Sequence, residues 1–165
     1  MLTKKSRGLH ATGMGAVSCA CHQLFQALGM GDLQKGERYT LTLQTLLIYT
    51  HTQRYRQCNM DYIFTSSVQN IGLHLLTVLY DVSCQWFTNF WSREKLLPPH
   101  LLLAFPNVQA KVPKFHLGGH IKSCHASYSL GYMLGAGRTD GEAVKRNWDE
   151  LNSHGPSMKE MGPGH

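Results

Sequence analysis

The sequence predicts an α/β fold, a mixed sheet flanked by helices, and three observations carry that prediction. Leu73–Tyr80 (LHLLTVLY) is a near-continuous apolar run of strand length, as expected of a strand buried on both faces of a parallel or mixed sheet. Val82–Leu97 follows directly, with Trp86, Phe90 and Trp91 on an amphipathic helical pattern and Pro98-Pro99 as its stop. Thr139–Asn152 sets Val144, Trp148 and Leu151 at i, i+4 and i+7 behind a Thr139–Glu142 capping box. At 165 residues the chain is one domain's worth. A domain of that size buries roughly two-thirds of its unfolded surface. Hydrophobic residues at 42% against 16% charged exclude disorder as the default.

The remaining elements follow in chain order. Gly13–Phe25 reads as a strand, from its small and β-compatible residues. Gly29-Met30-Gly31-Asp32 reads as a turn, and Leu33–Tyr39 is indecisive because Gly36 weakens a helix there. Thr40–Gln57 has a different character: rich in Thr, Leu and Tyr, with no Gly, Pro, Asp or Glu, it reads as a strand pair or an irregular threonine-rich segment. Asn59–Asn70 is a short helix capped by Asn59 or Asp61, with Ile63, Phe64 and Val68 at helical spacing. Leu101–Val112 is loop plus a short strand limited by Pro106 and Pro113. Lys114–His125 is polar and irregular, Tyr128–Gly137 is a glycine-punctuated turn region, and the Gly/Pro-rich tail Ser153–His165 is loose.

Composition removes several function classes. Sixteen Lys+Arg against ten Asp+Glu give +6 with His neutral, which suits a polyanion such as nucleic acid. Cys19, Cys21, Cys58, Cys84 and Cys124 are odd in number and irregular in spacing, so no secreted disulfide framework is indicated. Lys4-Lys5-Ser6-Arg7 is not followed by the apolar stretch of a signal peptide, and the longest apolar runs fall far short of a membrane span. A soluble intracellular protein of nucleus or cytoplasm is expected, with no membrane partner. There is no Gly-x-Ser-x-Gly elbow, P-loop or dinucleotide-binding glycine fingerprint.

Ten histidines ask for chemistry. His116, His120, Cys124 and His125 fall at H-x3-H-x3-C-H, and Cys19, Cys21 and His22 form a second soft cluster. Together they can supply one zinc site; the plainer reading is buried cysteines and ordinary polar histidines, since neither half has a standard finger spacing. Asp81 stands where the buried strand hands over to a helix, the edge at which α/β folds place their sites, or it simply caps that helix. Glu142 is either the capping-box glutamate or a second acid that shares divalent cations with Asp81. Lys111, Lys114, Lys122, Arg138, Lys145 and Arg146 are phosphate contacts or a solvated charged face.

Four segments, read in order, carry a resemblance: GDLQKGERY (Gly31–Tyr39) with CNMDYIF (Cys58–Phe64), YDVSCQW (Tyr80–Trp86), VPKFHLGGH (Val112–His120) with Cys124, and GRTDGEAVKRNWDELN with KEMGPG (Gly137–Asn152, Lys159–Gly164). Together with RGLHATGMGAV (Arg7–Val17) they resemble the Kyakuja-Dileera-Zisupton (KDZ) transposases of mushroom-forming fungi. The resemblance implies an RNase H-like core whose acidic triad cuts and rejoins DNA with Mg²⁺ or Mn²⁺. By position, Asp81 matches the acid of the family's YD-x-x-CQW motif and Glu142 the glutamate of its GRTDGE motif. The family's first acid, on the opening strand, is expected upstream of Arg7, so the core is expected to be partial and inactive alone. Asp32 also matches the family but reads as structural. His116, His120 and Cys124 match its HL-x-x-H…C pattern.

The sequence departs from the family pattern at Thr40–Gln57, where GERY should run almost directly into NMDY; 57 − 39 = 18 residues intervene, read as a retained intron or gene-model error. The chain also starts after the expected opening strand and stops just after KEMGPG. Three readings follow: an internal piece of a DDE-type transposase, a non-catalytic zinc-stabilised nucleic-acid-binding module, or a non-functional transposon relic.

Overall fold

The computed structural model describes residues 11–34, 45–69, 71–72, 74–105 and 107–159, with side chains placed over 13–33, 57–69, 71–72, 74–105 and 107–153. It is a mixed α/β structure whose two sheets, among the described residues, are each two-stranded. The chain divides into two compact units. The first takes the described residues of Met1–Val17, Phe25–Leu76 and Gln85–Val108; the second takes those of Ser18–Leu24, Thr77–Cys84 and Gln109–His165.

In the first unit, β1 (Ala11–Ser18) pairs with β2 (Phe25–Gln34), and the helix α1 (Thr45–Val68) packs on them. The glycines explain how closely. A Cβ on Gly15 would lie 2.8 Å from Met60 Sδ and 3.0 Å from Ile63 Cδ1, and one on Gly31 3.0 Å from Ile63 Cγ1. These glycines therefore clear space for α1. That corrects one expectation, since Gly29–Asp32 lies inside β2 rather than in a turn; the opening strand, whose end the sequence leaves open within Gly13–Phe25, ends at Ser18. Residues 35–44 lie outside the described residues, so the reading of Leu33–Tyr39 is addressed only at its start, in β2.

From Thr45 onward, the predicted strand pair is helical and continuous with the predicted Asn59–Asn70 helix. With no Gly or Pro to stop it, a helix anchored by a packed end propagates at little cost, and β-propensity yields to that context. Asn59 and Asp61 are consequently helix interior, not caps. Asp61, Phe64, Thr65 and Val68 share one face and are buried. Thr65 and Ser67 tolerate burial because their hydroxyls donate to helix carbonyls, Asp61 O at 2.8 Å and Phe64 O at 2.7 Å.

Asp61 is 1% exposed and fully engaged. It accepts from Arg93 Nε at 2.6 Å, Arg93 Nη2 at 3.0 Å and Trp86 Nε1 at 2.7 Å. Phe64, Trp86 and Phe90 close around it with ring centroids 4.8–5.7 Å apart. The predicted Val82–Leu97 helix is broken into α2 (Ser83–Trp86), a 3₁₀ turn at Phe87–Asn89 and α3 (Phe90–Glu94). The break comes at Asn89, whose φ of −118° and ψ of 17° leave the helical region. The chain stops short of Pro98-Pro99, as the prolines dictate, and Pro99 starts a further 3₁₀ turn to Leu101.

β3 (Leu76–Leu79) pairs with β4 (Val108–Lys111), and their residues Thr77–Leu79 and Gln109–Lys111 belong to the second unit. Leu76 N donates to Asn107 O at 2.9 Å and Tyr80 N to Lys111 O at 3.1 Å, a constant offset that makes the pair parallel. All four β3 residues are only half-buried, correcting the expected burial on both faces: with one partner strand, β3 remains an edge. Lys114–His125 is not irregular but holds α4 (Lys114–Leu117) and the start of α5 (Lys122–Tyr128). A 3₁₀ turn at Leu130–Tyr132 and positive-φ glycines Gly135 and Gly137 follow, as the glycine spacing predicts. The last helix, α6 (Ala143–Lys159), begins four residues later than expected and takes in residues 153–159 of the supposed loose tail; residues 160–165 lie outside the described residues. Asn147 Nδ2 on α6 donates to Gln23 O in the loop between β1 and β2 at 2.9 Å. No helix among the described residues is long and apolar enough to cross a membrane.

Candidate functional site

Asp81 stands two residues beyond β3 and immediately before α2's approach, exposed, at the carboxyl end of the parallel pair. Its Oδ1 accepts from the Val82 backbone N–H at 2.9 Å. The following turn is fixed from below: the fully buried Ser83 hydroxyl donates to Lys111 O at 2.8 Å, and Ser83 N donates to Tyr80 O at 3.1 Å. A buried anchor under an exposed acid gives that carboxylate a defined place without consuming its second oxygen.

Glu142 precedes α6, whose first turn donates to its carbonyl from Lys145 N at 3.1 Å and Arg146 N at 3.3 Å. The expected Thr139–Glu142 capping box does not form. Instead Asp140 Oδ1 accepts from Glu142 N at 2.9 Å and Thr139 Oγ1 from Gly141 N at 3.4 Å. The Glu142 N–H and the Arg146 guanidinium hold the Asp140 carboxyl below its ordinary range. Glu142 Oε1 is thereby free to accept from Phe115 N at 3.2 Å, and its Oε2 lies 3.7 Å from His116 Nε2. Gly141, at φ 78°, is packed so tightly that a Cβ would sit 3.1 Å from Leu79 Cδ1, 3.2 Å from Leu130 Cδ2 and 3.3 Å from Pro113 Cβ. The residue before Glu142 thus touches the last residue of β3, two positions before Asp81.

The soft donors sort differently from the sequence expectation. Cys84 Sγ lies 3.2 Å from His120 Nδ1, and the donor atoms of Cys84, His120 and Cys124 are all within 4.8 Å of one another, half-buried. Among the described residues no other three such donors gather this closely. His116 belongs with Glu142 instead. Cys19, Cys21 and His22 stand outside the triplet; Cys19 Sγ pairs with His22 Nδ1 at 3.4 Å, and hydrogen bonds from the His22 and Cys21 backbone and the His22 ring lower the Cys19 pKa. His125 Nε2 lies 3.0 Å from His120 O, bracing the backbone at His120.

Of the basic candidates, Lys114, Lys122 and Arg138 are exposed and form no ion pair with a described residue. Lys111 donates to Ser127 O at 2.8 Å and Arg146 pairs with Asp140 at 3.2 Å, so both are partly committed within the protein. Lys145 lies over the exposed Phe115 ring, 4.6 Å from its centroid.

Sequence reasoning missed two residues. Cys84 was passed over because its partners lie 36 residues or more along the chain, beyond any motif spacing. Asp61 is one of two cap candidates in the sequence, yet its place on the Phe64–Thr65–Val68 face signals a buried acid that needs a partner.

The family model described as Kyakuja-Dileera-Zisupton transposase matches residues 2–165. No curated protein and no solved structure matches.

Proposed function

From the premise that the chain belongs to the Kyakuja-Dileera-Zisupton transposase family, we propose that Asp81 and Glu142 are two acids of a divalent-cation site for DNA cleavage and strand transfer. The β3–β4 parallel pair is, on this reading, part of an RNase H-like core. The observation that carries it is the contact of Gly141 with Leu79, which brings the Glu142 backbone to the strand end that leads into Asp81. Asp81 lies two residues, about 6.6 Å of strand rise, beyond Leu79, and a shared cation would draw the two carboxylates together.

The donor set fits Mg²⁺ or Mn²⁺. Both ions take hard oxygen ligands, and Mg²⁺ is commonly held by one or two carboxylates together with water and substrate phosphate. Such an ion supplies the Lewis acidity that activates the attacking oxygen and stabilises the leaving one. The chain's own residues do the positioning. Val82 N fixes one oxygen of Asp81, and Phe115 N fixes one oxygen of Glu142. Lys114, Lys122 and Arg138 offer exposed charge to DNA phosphates, with Lys111 and Arg146 as weaker contributors because part of their bonding capacity is used.

These residues contain two of the three acids the resemblance implies, so the 165-residue chain by itself is expected to leave DNA uncut with Mg²⁺. Calorimetric titration with Mn²⁺ tests the site: Asp81→Asn and Glu142→Gln should each weaken binding at least tenfold. Unchanged affinity in both variants would remove these acids from the site. Magnesium-dependent cleavage that is abolished in Asp81→Ala would instead overturn the inactivity. We also propose that Thr40–Gln57 is an insertion, which peptides spanning it in protein from the source cells would refute.

A further inference from the structure

We propose that Cys84, His120 and Cys124 form a zinc site that ties the turn after Asp81 to α5, with the fourth position left to water. Two thiolates and one imidazole are the donor types zinc prefers. Zn–S bonds of about 2.3 Å and Zn–N bonds of about 2.0–2.1 Å place tetrahedral ligand atoms about 3.5–3.8 Å apart. The observed 3.2 Å from Cys84 Sγ to His120 Nδ1, and the 4.8 Å limit over all three donors, bracket those separations, so small side-chain rotations complete the geometry. The site differs from the one the local spacing suggested. His116 leaves for Glu142, and Cys84 enters from the YDVSCQW segment.

The ligands come from two separated pieces of the second unit. Cys84 lies on α2, three residues after Asp81, and is held in place by the buried Ser83 hydroxyl on Lys111 O. His120 precedes α5 and Cys124 lies in its first turn, and the His125 ring against His120 O braces the loop between them. All three residues are only half-buried, so solvent can supply the fourth ligand. The N-cap residues of α4 and α5, Pro113 and Ile121, supply no side-chain cap, and the first turn of α4 relies on Glu142 Oε1 accepting from Phe115 N. A metal crosslink gives this run of short helices the anchoring that its own caps do not, and metal binding of that kind is folding free energy.

The test uses the full chain. Purified without chelator, it should carry one zinc per chain by elemental analysis. Cobalt substitution should give the visible bands of tetrahedral Co²⁺, with a thiolate charge-transfer band of the intensity expected for two Co–S bonds. Cys84→Ser and Cys124→Ser should each lower zinc affinity at least a hundredfold, while Cys19→Ser, Cys21→Ser and His116→Ala should retain full stoichiometry. Because a ligand variant can fail to fold, the wild-type cobalt spectrum and zinc protection of Cys84 and Cys124 from alkylation give a second readout. A chain that binds no zinc, a spectrum without thiolate ligation, or full zinc retention in Cys84→Ser would overturn the site. Manganese titration reads the Asp81–Glu142 pair separately, so either site can fail alone.

Discussion

Two acid–base pairs, one in each unit, show what distinguishes structure from site in this chain. Asp61 and Arg93 meet at 2.6 Å with side chains 1% and 3% exposed, and every oxygen of Asp61 has a donor. Glu142 and His116 stand 3.7 Å apart with side chains 14% and 39% exposed. The first pair is closed: burial forces it to satisfy itself, and removing either partner strands a charge in an apolar aromatic nest. The second is open, and Asp81, Lys114 and Lys122 in the same unit are exposed as well. A closed pair belongs to folding. An open one at a strand's carboxyl end is where a ligand can enter.

The largest effect should come from breaking the closed pair. Arg93→Ala leaves Asp61 charged and buried and should cost about 3–5 kcal/mol in denaturant unfolding. Replacing both residues together, Asp61→Leu with Arg93→Met, should recover most of that loss, because burying an ion pair is itself expensive. A cost below about 1 kcal/mol for Arg93→Ala would show that the pair is not as closed as its hydrogen bonds indicate. Gly31→Val comes next, at about 1–3 kcal/mol, since its side chain would enter the space held by Ile63. Gly72→Ala, which meets nothing within 4 Å, should stay within about 0.5 kcal/mol and serves as the control.

The open region should respond in chemistry rather than stability, and the smallest expected effect is at Cys19. Its thiol titrates below the ordinary value of 9.0 because backbone hydrogen bonds, led by that of His22, favour the thiolate. With the folded pKa depressed, the associated stability is present above the unfolded pKa and is lost as pH falls through the folded one. Near neutral pH, Cys19 should alkylate a few-fold faster than the exposed Cys21, with the ratio shrinking as pH is raised. Equal rates at all pH values, read by peptide mass spectrometry, would show that His22 does not support the thiolate.

How much of this was legible in sequence depended on whether the determining partner was local. The strand into Asp81 and the stop at Pro98-Pro99 rest on neighbouring residues and could be read directly. Gly31 reads locally as part of a turn because the reason for it, Ile63 on α1, is some 30 residues away. Thr45–Gln57 was misread because β-propensity is decided by packing, and its helical state is continuous with a tail anchored at Asp61, Phe64 and Thr65. The capping box failed for a subtler reason. The Asp140 side chain took the Glu142 N–H, and Glu142 turned to Phe115 and His116 instead. Two of the three soft donors, His120 and Cys124, are visible as a motif. Cys84 is not, since only the parallel β3–β4 arrangement and its connections bring it to them.

The most direct test of the proposed acid site is a Mn²⁺ titration of the isotopically labelled chain followed by paramagnetic broadening of its amide signals. Signals of residues 80–83 and 141–143 should broaden first and together, and Asp81→Asn should abolish that effect at both segments. Broadening centred on Cys84, His120 and Cys124, or scattered over the other carboxylates with residues 80–83 and 141–143 unaffected, would contradict it.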